Sequence, residues 1–334
     1  AVMGSKNLKA IAVRGSGNIP IFDPDGFMKT CREAFNELAN NPDTGGGRQK
    51  YGTNVILSLM DEVGIHPVRN FQKGKFAGAD RVNEDVVEEY YVRNKACFGC
   101  PIYCSKIAEV KEGKYKGSFT EGPEYENVWS FGANCENVDV GAIIQAEYLC
   151  DYHGLDGISA GNVIGFLMEC VEKGLLKESD IGFPMSFGND ESIINAIHLI
   201  GKGEGPGKRW GQGVKKLAQQ IEGAHEFAMH VKGLELAAYD PRGVFGQGLS
   251  YAIAPRGGEH GRGGYMIVEF FMPDVDLYTH EGKAERAIQM AEDAAMYDLS
   301  CLCSFNFVPI PLIAPLITAV TGKEFTEESL RETT

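Results

Sequence analysis

Cys97, Cys100 and Cys104 fall within eight residues, and a further pair, Cys301 and Cys303, lies far downstream. If these thiols act together, the fold must return the distant pair to the loop. A cuboidal iron–sulfur cluster needs four thiolates, and a tight loop can supply three while another part of the fold supplies the fourth. A zinc site is the first alternative, but such sites favour two Cys-x-x-Cys knuckles, and the downstream pair here is Cys-x-Cys. Disulfides are the second, since nine cysteines could form bridges. The chain is long enough to build its own core, and neither a signal peptide nor an apolar membrane run marks an oxidising destination. The spacing favours a cluster over zinc and leaves zinc open.

Length decides little beyond scale. With 334 residues, 43% hydrophobic and 23% charged, the chain has the size of roughly two ordinary globular domains. Its formal net charge of −14 repels phosphate polyanions and argues against nucleic acid as a partner. An electron-transfer partner would need a local basic patch. No stretch approaches the ~20 apolar residues of a membrane span, so the chain reads as soluble and cytoplasmic. It begins without an initiator Met and ends in a charged stretch, so both ends read as cuts.

The hydrophobic pattern is mostly helical. Residues 8–13 read as a short strand. After Pro24, apolar residues at Phe27, Met28, Cys31, Phe35 and Leu38 recur every three or four positions, which predicts a helix ending before Asn40. The glycine run 45–47 reads as a loop and not a phosphate cradle, because no Lys-Ser/Thr follows it. Further helices are expected at about 52–63, 84–93, 139–152, 157–173, 190–201, 208–222 and 283–298. Gly154, Gly174 and Gly223 stand where left-handed caps are expected, and Asp139 and Asp156 where N-caps are. No solenoid repeat is present.

One short echo stands out. DYHGLD at 151–156 and DLSCLC at 298–303 share a frame, and each follows an expected helix. A carboxylate near a helix C-terminus meets exposed backbone carbonyls and is disfavoured unless something pairs with it. The guanidine-like edge of a pterin, with adjacent N–H donors, fits both carboxylate oxygens. Alternatively, Asp151 and Asp298 simply face water at two helix ends. Cys303 shifts the balance, because it ties the second copy to the thiol set.

In these features the sequence resembles the tungsten-containing aldehyde:ferredoxin oxidoreductases. The likeness runs over nearly the whole chain: AVMGSKNLKAI at 1–11, VRNK at 92–95 before the three-cysteine loop, TEGPEYE at 120–126, DYHGLD, AYDPRG at 238–243 with GQGL at 246–249, RGGEH at 256–260, and DLSCLC. The resemblance implies a mainly α fold of two helical domains, here without the N-terminal β domain on which the family's cofactor sits. Residues 1–20 then correspond to the end of that β domain, 21–230 to the first helical domain, and 231–334 to an incomplete second one. It also implies a tungsten bis-pterin cofactor, with Mg bridging the pterin phosphates, and a 4Fe-4S cluster. The expected activity is oxidation of aldehydes to carboxylic acids, with electrons passed to ferredoxin.

Carried over by position, Cys97, Cys100, Cys104 and Cys303 match the cluster ligands. Asp151, Leu155 and Asp156 match contacts to one pterin, Asp298 and Leu302 match contacts to the other, and Arg256 and Gly257 match further cofactor contacts. Glu126 and His260 match the residues that work on substrate beside the metal. Aldehyde oxidation needs water oxygen, a polarised carbonyl and a route for protons. A His can donate to the carbonyl oxygen, and a carboxylate can take a proton from water. On its residues alone Glu126 reads as a salt-bridge residue after a Gly-Pro turn. The glycines 257, 258 and 261 around His260 suggest close backbone approach to something, or merely a turn.

The chain departs from the family pattern in two places. Cys301 stands where the second frame usually has Gly. The Glu-x-x-His element that can hold iron between two subunits aligns with Gln145 and Tyr148, poor substitutes as ligands, although a homodimer through apolar contacts stays open. Cys31, Cys135, Cys150 and Cys170 match no ligand position and read as small buried hydrophobes. Two function classes follow: an enzyme, or the greater part of one, and a non-catalytic module that binds a metal cluster for electron transfer.

Overall fold

The computed structural model describes residues 2–261 and 265–333 and is mainly α-helical. Ala1, which opens the first family-like run, lies outside the described residues. The chain divides into two compact units, one made of residues up to Glu37 with those from Val308 onward, the other running from Leu38 to Phe307. The principal helices are Pro24–Asn40 (α1), Leu57–Glu62 (α2), Tyr125–Phe131 (α3), Val140–His153 (α4), Gly157–Glu172 (α5), Asp190–Lys202 (α6), Phe245–Ile253 (α7), Lys283–Leu299 (α8) and Ile310–Thr321 (α9). Strands Tyr91–Lys95 (β1), Ser105–Glu109 (β2) and Phe119–Glu121 (β3) form a small antiparallel sheet, and His230–Val231 (β4) pairs with Leu234–Glu235 (β5). Among the described residues no helix is long and apolar enough to cross a membrane.

Helix α5 organises the larger unit. Its residues from Ala160 to Cys170 are all buried, as expected of a helix apolar on every side. Gly157, Gly161 and Gly165 recur every fourth residue and so share one face. A Cβ at Gly161 would lie 2.5 Å from Ser130 Cβ and 2.7 Å from Ser130 O, and one at Gly157 would lie 2.2 Å from Asn127 Oδ1. The missing side chains let α5 approach α3 at backbone distance. That contact fixes the first turn of α3, where Glu126 stands.

Capping follows the sequence closely. Asp139 accepts from Ala142 N–H and Asp156 from Ser159 N–H, and Gly154 closes α4 in the left-handed region. Gly174 and Gly223 also have positive φ.

Four local expectations fail. Residues 8–13 form no strand: among the described residues no strand pairs with them, and an isolated strand leaves its backbone groups unbonded. The helix expected at 84–93 ends at Glu88, since the aromatic and β-branched run from Tyr90 pairs with β2 instead. The helix expected at 208–222 breaks into Gly207–Trp210 and Val214–Ala218, with Gly213 at φ +88 between them. The glycine run lies in a wide helical turn, Asp43–Gly47, where a Cβ on Gly45 would lie 2.2 Å from Ala39 O.

Candidate functional site

The three-cysteine segment closes a β-hairpin. Lys95 pairs with Ser105, so residues 96–104 connect β1 to β2 and carry Cys97, Cys100 and Cys104. Gly99 and Tyr103 both adopt positive φ and turn the loop tightly. Cys97 and Cys303 are exposed, Cys100 and Cys104 half-buried, and no disulfide joins any of the cysteines. Burial raises the Cys104 thiol above its usual range, and the nearby Glu124, Cys100 and Cys303 push the same way against Arg48. Cys303 thus comes within electrostatic reach of the hairpin loop. Among the described residues no three His, Cys, Asp or Glu side chains converge closely enough to hold a single metal ion. Cys135, Cys150 and Cys170 are buried, as expected of small hydrophobes, whereas Cys31 is only half-buried.

Cys104 lines a cavity of about 870 Å³, together with Arg48, Glu124, Glu126, His260 and Tyr265. Helix α3 presents Glu126 from its first turn. Glu126 Oε2 accepts the Ala238 N–H at 3.0 Å, while Oε1 is buried without a hydrogen bond and lies 3.7 Å from His260 Nδ1. Tyr125 donates its hydroxyl to Ala238 O, so the Ala238 peptide is held from both sides. Rings of Tyr239 and Tyr265 pack on His260 at 5.4 and 5.6 Å.

Dehydration dominates the titration of both groups. Loss of water raises the Glu126 carboxyl to about 8, against the Ala238 N–H and with help from Asp156. The same effect lowers His260 to about 4, with Glu259 opposing and Arg256 assisting. At pH 7 the pair is neutral on both sides. Since Oε2 is taken by an N–H donor, the Glu126 proton belongs on Oε1, facing the imidazole and the cavity.

The other sequence candidates lie elsewhere. Asp151 and Asp298 stand in the last turns of α4 and α8, and both are exposed. Burial raises Asp151, and the nearby Thr120 opposes that. Asp156 is exposed and caps α5 through Ser159 N–H at 2.8 Å. Leu155 packs on the core, and Leu302 is half-buried. Arg256 pairs with Glu259 at 2.9 Å. The close approach expected of the glycines before His260 is to the chain's own β4–β5 hairpin. A Cβ on Gly257, at φ +107, would lie 2.1 Å from Val231 O, and one on Gly258 would lie 2.6 Å from Leu234 O. Gln145 accepts from Ser118, and Tyr148 stacks between Phe119 and Tyr152.

Three residues at the cavity and the cysteine loop escaped the sequence reading. Glu124, raised by burial and held by Thr53, sits in the same TEGPEYE run as Glu126, so the run itself was the signal. Arg48 pairs with Asp43 at 2.7 Å, and its guanidinium lies 5.4 and 5.3 Å from the Phe305 and Phe307 rings, just beyond Cys303. Lys106 is buried behind the cysteine loop. Neither cation belongs to a pattern that sequence alone displays.

The fold and cavity define a mainly helical protein with clustered thiols beside a dehydrated acid–imidazole pair. The chain belongs to the aldehyde ferredoxin oxidoreductase family, whose model for domains 2 and 3 matches residues 29–334. It is 41% identical over 342 residues to the tungsten-containing aldehyde ferredoxin oxidoreductase of Pyrococcus furiosus, covering 98% of this chain and 55% of that protein. The protein of the same description from Thermococcus kodakarensis is 38% identical over 341 residues, with the same coverage. An aliphatic sulfonate oxidoreductase WOR-like subunit of Pyrococcus furiosus is 32% identical over 274 residues, 78% of this chain and 43% of that one. The chain thus spans about half the length of the curated relatives it matches. Among solved structures, the active-site complex BamBC of benzoyl coenzyme A reductase, in complex with 1,5-dienoyl-CoA, has the same fold, with a TM-score of 0.71 at 17% identity. That match covers 99% of this chain and 58% of that one.

Proposed function

We propose that this chain carries the cluster-binding and proton-handling part of an enzyme that oxidises aldehydes to carboxylic acids and passes the electrons to ferredoxin. The observation that supports this best is the Glu126–His260 pair, dehydrated and 3.7 Å apart, in the cavity that Cys104 also lines. The donor set suits a 4Fe-4S cluster: soft thiols, no disulfide, and Cys303 within electrostatic reach of the loop. Cys97, Cys100, Cys104 and Cys303 would hold it.

For a tungsten bis-pterin, the fit rests on the exposed Asp151, Asp156 and Asp298 carboxylates and on the unbonded Glu126 Oε1 at the cavity. Asp151, Leu155 and Asp156 would hold one pterin and Asp298 and Leu302 the other, with Arg256 and Gly257 as further contacts and Mg as an accompanying ion. When bound, that group accepts the two electrons released as an aldehyde and water become a carboxylic acid and two protons. The two helical domains of the family would then meet near residue 230.

The chain's own residues handle position and protons. His260, neutral at pH 7, offers an N–H to the aldehyde oxygen and polarises the carbonyl. Glu126, near 8, is a stronger base than an ordinary carboxylate and takes up and releases a proton close to neutral pH. Tyr239 and Tyr265 pack on the imidazole and fix its plane.

Metal analysis after reconstitution with iron, sulfide and competing zinc tests the ligand set. Cys303→Ser should lose the cluster and Cys301→Ser should keep it. Stoichiometric zinc without a brown chromophore would overturn the reading.

A further inference from the structure

The geometry points to Lys106 as the residue that sets the charge behind the four-thiol site, and with it the potential at which that site takes an electron. This rests on the cluster reading above. Lys106 lies in β2, two residues after Cys104, and is only 2% exposed. Its Nζ donates to Gln49 O, to Asn94 Oδ1 at 3.0 Å and to Tyr103 O at 3.3 Å. Three oxygen acceptors around one nitrogen require three N–H donors, which an ammonium has and a neutral amine lacks. Lys106 is therefore a cation where it stands.

The acceptors are two backbone carbonyls and one amide, so dipoles hold the charge and no contacting group neutralises it. Taking a cation out of water is costly unless an anion lies near. With a cluster bound, its thiolates become the anions at hand, since Tyr103 O belongs to the peptide that leads into Cys104; the Glu124 and Glu88 carboxylates also act on Lys106. At Gly52 a Cβ would lie 2.6 Å from Cys104 O and 3.5 Å from Lys106 Cγ, so the stem and the loop pack on the same point. A cluster held by four thiolates is anionic and gains a further negative charge on reduction. A fixed cation beside it stabilises the reduced form more than the oxidised one and raises the potential.

The test compares Lys106→Met, Lys106→Gln and Lys106→Arg with the unaltered chain, each reconstituted with iron and sulfide and titrated redox-wise by electron paramagnetic resonance. The two neutral variants should keep their iron content and shift to a more negative midpoint, while Lys106→Arg stays near the unaltered value. An unchanged midpoint in a neutral variant with full iron would overturn the inference. Loss of iron from both neutral variants, with retention by Lys106→Arg, would also overturn it and leave Lys106 as an anchor of the loop. If the unaltered chain takes up no cluster, it is the cluster reading that has failed.

Discussion

Glu126 and Asp156 sit at the same α3–α5 contact, and Asp156 even contributes to the field at Glu126, yet they are put to different uses. Glu126 is mostly buried, with Oε1 out of contact with water, and meets one N–H donor and one imidazole. Asp156 is exposed, and one of its oxygens caps a helix. Depth decides the chemistry: the buried acid exchanges a proton near neutral pH, whereas the surface carboxylate offers charge and a hydrogen-bond acceptor. The thiol side shows a related contrast, with exposed Cys97 on a hairpin loop backed by buried Lys106.

The largest effect expected from this contrast is on turnover. In the enzyme carrying this chain and its cofactors, Glu126→Gln and His260→Asn should each lower turnover by roughly a hundredfold or more with metal content unchanged. Metal loss in either variant would make that residue structural. Next in size is Gly257→Ala, which should cost about 2 kcal/mol or more in denaturant unfolding, because φ +107 and the Val231 carbonyl both exclude a side chain. A neutral result would return Gly257 to a purely ligand-facing role.

The pH dependence of stability separates buried from exposed acids. Glu126 is raised from its ordinary 4.5 to about 8, so its contribution is fully present below pH 4.5 and is lost as pH rises to 8. His260, lowered from 6.5 to about 4, acts in the opposite sense, and its contribution is lost as pH falls from 6.5 to 4. Between pH 6.5 and 8 the unaltered chain should therefore lose stability faster than Glu126→Gln, by on the order of 1 kcal/mol per pH unit at most. Glu124 and Glu147, also raised by burial, keep part of the slope in the variant. Parallel unfolding curves at pH 6.5 and 8 would contradict this. The smallest effect belongs to Asp156→Ala, about 1 kcal/mol from the lost cap, with Asp156→Asn close to neutral in stability.

Much of this was legible in the sequence. The three- and four-residue apolar period placed α1, and Asp139 and Asp156 announced the caps of α4 and α5. What escaped depends on long-range packing. The run from Tyr90 reads as helix until β2 pairs with it, and 8–13 reads as strand until no neighbour arrives. The glycines at 257 and 258 correctly signalled close approach, but sequence could not say that the neighbour is the β4–β5 hairpin. A lone Lys106 or Arg48 has no pattern at all, because its role comes from what the fold lays around it. For the same reason Glu126 read as an ordinary salt-bridge residue: the Ala238 N–H and the His260 ring beside it come from distant parts of the chain.

The central claim is that Glu126 remains protonated at neutral pH in its cavity. Infrared titration of the chain, with the Glu126→Gln variant as the subtraction reference, reads this directly. A protonated-carboxyl C=O band missing from the variant, present at pH 7 and half lost near pH 8, is the expected result. A Glu126 carboxylate already fully ionised at pH 6 would contradict it.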